Sequence, residues 1–238
     1  MRLFVTFLIF STLCRGVAFG DVYTDAGCKP VDQVWEASDY LVFASLFQSG
    51  KVPLPRSGES DDDKLLSRLC SEENLHFCTN NKVSLEVRLG ELKGILMALA
   101  FFQKHILDTT DKRQRVGREF AMVSAFVIRV QSRSIRLSKE HESEAEHEMK
   151  NWITNFCRAC GTMMARTQKI LETDVFTSPE DCSLLLSAVA ASSPDFVPTM
   201  SRDQRRDSAK AFQALRAKFP STHDVKAIDE IVSALELE

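Results

Sequence analysis

Cysteine is the residue type best placed to do chemistry in this chain. Seven cysteines occur, and two of them, in the stretch CRAC from Cys157 to Cys160, have the Cys-x-x-Cys spacing of dithiol redox centres. A reactive thiolate of that kind needs its first cysteine at a helix N-terminus, where the dipole lowers the thiol pKa. Here the motif falls inside an amphipathic run of Met149, Trp152, Ile153, Phe156, Cys157, Cys160, Met163, Met164, Thr167 and Ile170, which puts both sulfurs on the apolar stripe. That setting predicts a structural pairing, with thiol-disulfide oxidoreductase as the sharper alternative. A flavin-linked oxidase also carries Cys-x-x-Cys in a helical bundle, but no histidine-asparagine flavin motif accompanies this one.

The second group is His141, Glu144, His147 and Glu148. Glu144 and His147 have the Glu-x-x-His spacing of carboxylate metal sites in helical bundles, which require the same motif from a facing helix. The other histidines, His76, His105 and His223, do not provide it. A solvated charged face with no resident metal or cofactor is the expectation, and weak surface zinc binding the alternative. No Gly-x-Ser-x-Gly elbow supplies a nucleophile. The acids Asp61 to Asp63 read as charge at a helix N-terminus. The basic stretches Asp111 to Arg118 and Arg202 to Arg206 read as solvated faces at helix starts. No catalytic residue emerges, so a non-enzymatic protein is expected.

The compartment decides how the cysteines are read. Arg2 followed by the apolar run Leu3 to Phe10, with Ala18 and Gly20 preceding Asp21, has the form of a cleavable signal peptide over residues 1 to 20. The apolar stretch is interrupted by Thr6, Ser11, Thr12 and Arg15, short of the roughly 20 residues a spanning helix needs. The run Gly94 to Phe102 lies between Lys93 and Lys104 and reads as a core helix, so no transmembrane segment is expected after cleavage. The last residues carry no retention tetrapeptide or lipid-anchor tail, which favours secretion or storage in a granule or vacuole. No Asn-x-Ser/Thr acceptor occurs. In an oxidising compartment the six cysteines outside the leader, Cys28, Cys70, Cys78, Cys157, Cys160 and Cys182, predict three disulfides. Early-to-late pairings remove the most unfolded-state entropy and are preferred, with Cys70 to Cys78 as the local alternative. The formal charge of −3 becomes −5 once Arg2 and Arg15 leave with the leader. Such a balance gives no reason to expect nucleic acid as a partner.

The elements that position these residues read as helices. Pro30 to Gln48 shows a stripe of Val31, Val34, Trp35, Leu41, Val42 and Leu46, and residues 49–63 read as a flexible loop. A short helix begins at Leu65, Leu66, Leu69 and Cys70. Asn80 and Asn81 cap a third, with Leu85, Leu89, Leu92, Leu96, Leu99 and Ile106 on one face. Val116, Phe120, Val123, Val127 and Val130 mark a fourth, whose β-branched content also suits a buried strand, and the absence of proline from Lys112 to Ser178 allows the fourth and fifth to form one bent rod. Ser178 and Pro179 open the next helix, closed by a loop at residues 192–198. A capping box at Ser201 and Gln204 starts a helix burying Ala209, Phe212 and Leu215, and a last helix carries Val225, Ile228, Val232 and Leu235. The expected fold is all-α: one disulfide-stabilised helical domain, residues 21–238, of about seven to eight helices. Its expected role is interaction with an unknown protein partner. The alternative is a carrier of a small apolar ligand, suggested by Met97, Met122, Met163, Met164 and many phenylalanines.

Overall fold

A computed structural model describes residues 22–109, 117–140, 147–173, 176 and 178–236. The described residues form nine α-helices and no strand. They are α1 (Val22–Asp25), α2 (Ala37–Gln48), α3 (Ser60–Leu69), α4 (Leu85–Thr109), α5 (Arg118–Glu140), α6 (His147–Glu172), α7 (Pro179–Phe196), α8 (Arg202–Leu215) and α9 (Thr222–Glu236), with 3-10 segments at Glu72–Thr79 and Val197–Thr199. The fold is thus all-α, as the spacing predicts. The one segment of uncertain reading resolves as helix, since the β-branched run lies in α5, and α8 opens on the expected capping box at Ser201 and Gln204.

Several boundaries and faces differ from the sequence pattern for identifiable reasons. α2 begins at Ala37, not Pro30, because Glu36 and Asp39 close a capping box there; Glu36 N–H donates to Asp39 Oδ2 at 2.8 Å. Its buried face is Ala37, Tyr40, Phe43 and Phe47, while Leu41 and Val42, expected inside, are each 45 % exposed. Ser84 rather than Asn80 or Asn81 opens α4, accepting from Val87 N–H at 3.4 Å, and Asn80 instead holds a turn by accepting from Lys82 N–H. α7 runs through Pro194 to Phe196, so residues 192–196 are helical, not loop. Pro194 has no N–H to offer Ala190 O, and the preceding Ser193 Oγ donates to Val189 O at 2.8 Å.

α5 and α6 are two helices packed side by side, not one rod. Ile128 lies against Met163, and Phe120 and Ser124 share a cavity wall with Thr167 and Ile170, so the two run in opposite directions. α7 then runs parallel to α5. Arg118 pairs with the buried Asp181 at one end, and at the other Asp195 accepts from Ser132 and from Arg136 Nη2 at 2.8 Å. α4 packs antiparallel on α5, with Gln103 Nε2 donating to Ser124 Oγ at 2.9 Å. α8 and α9 form an antiparallel pair whose apolar sides, including Phe212, Ile228 and Ile231, close the far side of the core.

On the near side, α2 runs parallel to α4. Ala37 meets Gly94, Phe43 and Phe47 pack with tilted rings on Phe102 at 5.9 and 5.5 Å, and Phe47 meets His105 at 4.5 Å. The fully buried Asn74 holds this corner together. It accepts from Trp35 N–H at 2.9 Å and donates to Tyr40 OH at 2.8 Å and Arg68 O at 2.6 Å, and Tyr40 OH donates to Leu69 O at 2.6 Å. Burial raises the Tyr40 pKa far above its ordinary value, so the phenol stays a donor.

Two predictions follow from this packing. Asn74→Ala leaves three buried partners unmatched and should cost about 3 kcal/mol, read as a lower urea midpoint with unchanged slope. A Cβ on Gly94 would stand 2.9 Å from Ala37 Cβ, whereas one on Gly90 meets nothing within 4 Å. Gly90→Ala should therefore gain the helix-propensity difference of about 0.5 to 1 kcal/mol. Gly94→Ala should fall about 1 to 3 kcal/mol below it through overpacking; equal midpoints for the two would contradict the close α2–α4 approach.

Candidate functional site

The rotation of α2 leaves apolar side chains in water. With Ala37 on Gly94 and the two helices parallel, Leu41 lies one turn beyond Ala37, while Met97 and Phe101 lie one and two turns beyond Gly94. They border the same seam on its outer side, Met97 and Phe101 each 51 % exposed. Gly90, Lys93, Ala100 and Lys104 are also exposed and extend this face of α4. Single exposed apolar residues are ordinary; several near one seam make this the candidate site. The sequence signal was present in the same residues, but the 3.6 periodicity of α2 carries two competing stripes, and the aromatic one wins the core.

The cysteines are dispersed. Cys28 is buried after α1, Cys70 caps α3, Cys78 lies in the first 3-10 segment, Cys157 and Cys160 fall in α6 and Cys182 is buried in the first turn of α7. No disulfide links two of the described cysteines. Cys70 and Cys78 bracket one short segment and feel the charges of Arg129 and Arg133, one turn apart on α5. Burial pushes the Cys70 thiol up to about 12 and the Cys78 thiol up to about 11. α6 and α7 are antiparallel, so Cys182 lies beside the last turn of α6, about 20 Å along the axis from Cys157 at 1.5 Å per residue. That distance excludes a Cys157–Cys182 bridge. More than two turns of α6 precede Cys157, so CRAC has no helix N-terminus to activate it.

His141 and Glu144 lie outside the described residues, and His147 and Glu148 begin α6 with side chains outside them. Among the described residues no group of three His, Cys, Asp or Glu is placed to hold a metal ion. Of the basic stretches, Asp111 to Val116 lies outside the description, Arg118 pairs with Asp181, and Arg206 pairs with Asp203 and Asp207. Among the described residues no helix is long and apolar enough to cross a membrane.

The methionines are split. Met97 faces solvent, Met164 is buried, and Met122 and Met163 are half-buried. Beside Met163 a cavity of about 160 Å³ opens between α4, α5, α6 and α7, lined by Leu107, Phe120, Ile128, Thr167 and Leu185. That volume accommodates a benzene-sized guest and is well below the range of ordinary ligand pockets, which begin at about 300 Å³. Comparison with protein-family models, with curated proteins and with solved structures finds no match to this chain.

The thiol environment gives a direct test. With a pKa near 12 rather than the ordinary 9.0, Cys70 carries roughly a thousandfold less thiolate at pH 8 than a free thiol does. In the reduced protein, iodoacetamide at pH 8 should modify Cys70 and Cys78 at least about a hundredfold more slowly than in denaturant. Peptide mapping by mass spectrometry measures both rates, and equal rates would exclude buried thiols.

Proposed function

We propose that this chain is a non-enzymatic helical protein of the secretory route that acts by binding another protein through the outer face of the α2–α4 seam. The observation that carries the reading is the exposure of Leu41 on α2 and of Met97 and Phe101 on α4, two helices that pack closely at Ala37 and Gly94. Large apolar side chains presented from packed helices supply the contact area that an interface core uses, and it outweighs the entropy of ordering them. The secretory part of the proposal rests on residues 1 to 20, and the crosslinked part on the six cysteines beyond them. For the latter, Cys70 with Cys78 is the pairing proposed, since the two lie at the end of α3 and within the 3-10 segment that follows it.

Full-length chain expressed with its leader should appear in the medium beginning at Asp21, and non-reducing peptide maps should join Cys70 to Cys78. Leu41→Glu with Phe101→Glu should abolish affinity capture of the partner protein from that medium while helicity and Tm stay unchanged. Intracellular retention of the protein counts against the address, and capture that survives both substitutions counts against the surface.

A further inference from the structure

The outer face of α4 has a pattern that points to a particular occupant. Its exposed positions run Glu86, Gly90, Lys93, Met97, Ala100 and Lys104, at spacings of four, three, four, three and four, which form one straight seam. The pattern is self-complementary when the helix meets a copy of itself running the other way. Centred between Lys93 and Met97, an antiparallel pairing sets Glu86 against the other copy's Lys104, Gly90 against its Ala100 and Lys93 against its Met97, and each match occurs twice by the two-fold axis.

Shape and charge agree in this register. Gly90 and Ala100 leave only small atoms at two layers, so the helix axes approach closely there. Gly90 has nothing within 4 Å of a Cβ position, which leaves an open hole on the surface. Phe101, beside Ala100 and half exposed, fills the hole over the opposing Gly90. Met97 lies on the aliphatic stem of the opposing Lys93, whose ammonium reaches water at the rim. Lys104 already contacts Asp108 at 3.4 Å on its own helix, with both side chains exposed, so Glu86 of the second copy completes a three-charge cluster rather than displacing a buried pair. A parallel pairing would instead set Glu86 on Glu86 and Lys104 on Lys104, and large on large at Met97.

We propose that the partner of the α2–α4 surface is a second copy of this chain, joined through antiparallel packing of α4 on α4 about a two-fold axis that passes between Lys93 and Met97. The proposal rests on the reading of that surface as an interface and commits its occupant. Leu41 of each copy flanks the seam and widens the apolar contact beyond α4. A single helix pair of this length makes a small interface, so a reversible dimer with micromolar dissociation is expected.

Sedimentation equilibrium of the mature chain should show a monomer–dimer equilibrium. Met97→Glu with Phe101→Glu should raise the dissociation constant at least about tenfold with unchanged helicity, because both side chains are exposed in the monomer. Glu86→Lys should weaken the dimer about fivefold, since two symmetric pairs turn repulsive, and adding Lys104→Glu should restore it. That rescue is specific to the antiparallel register, because a parallel dimer responds alike to the single and double changes. A chain that stays monomeric at about 200 µM, or a dimer without charge-swap rescue, overturns the proposal. If Phe101-dependent capture of a different protein persists in a monomeric chain, only the choice of occupant falls. If that capture is absent as well, the interface reading falls with it.

Discussion

Asn74 is the group on which the near side of this molecule depends. A side-chain amide without access to water must find partners for both its oxygen and its nitrogen, and here they come from three separate pieces of chain: the approach to α2, α2 itself and the end of α3, all tied to the 3-10 segment that carries Asn74. Because Tyr40 must reach both Asn74 and Leu69 O, the rotation of α2 about its axis is set. Tyr40, Phe43 and Phe47 turn inward, and Leu41 and Val42 are forced outward. A polar constraint thereby produces an apolar surface.

The close approach of α4 adds to the same result. Gly94 lets Ala37 come near enough that no side chain fits between them, which brings Phe102 and His105 onto the aromatic face of α2. The rest of α4's circumference divides between contact with α5 and open solvent, so Met97 and Phe101 have no intramolecular place to go. At the other side of the core, the ionic contacts at both ends of the parallel α5–α7 pair fix their relative slide, since moving either helix by one turn would strand Asp181 or Asp195. Beside Met163 a small cavity opens between these helices.

The thiols illustrate how burial sets chemistry. Cys70 and Cys78 have arginines within electrostatic reach, which alone would favour thiolate, yet loss of water outweighs those charges and both pKa values rise. Such sulfurs are suited to structural pairing or to packing, and poorly suited to nucleophilic attack. The large apolar side chains that stand exposed among the described residues, Val22 apart, lie on α2 and α4.

The sequence by itself determined that this chain is helical, and it located most of the helices. The capping box at Ser201 and Gln204, Pro179 at the start of α7 and the Leu89–Leu92–Leu99–Ile106 face of α4 act within a few residues of one another, and local signals of that kind survive into the fold. It did not determine which of two apolar stripes on α2 faces inward, because Leu41 and Phe43 are equally good core residues and only the distant Asn74 distinguishes them. Nor did it show that α7 continues through Pro194, where burial of Ser192, Ser193 and Phe196 against neighbouring helices holds a turn that proline weakens. The exposed seam of α2 and α4 belongs to the same class of fact: its residues are all visible in the sequence, but their being outside is decided by contacts between segments more than thirty residues apart, which no periodicity encodes.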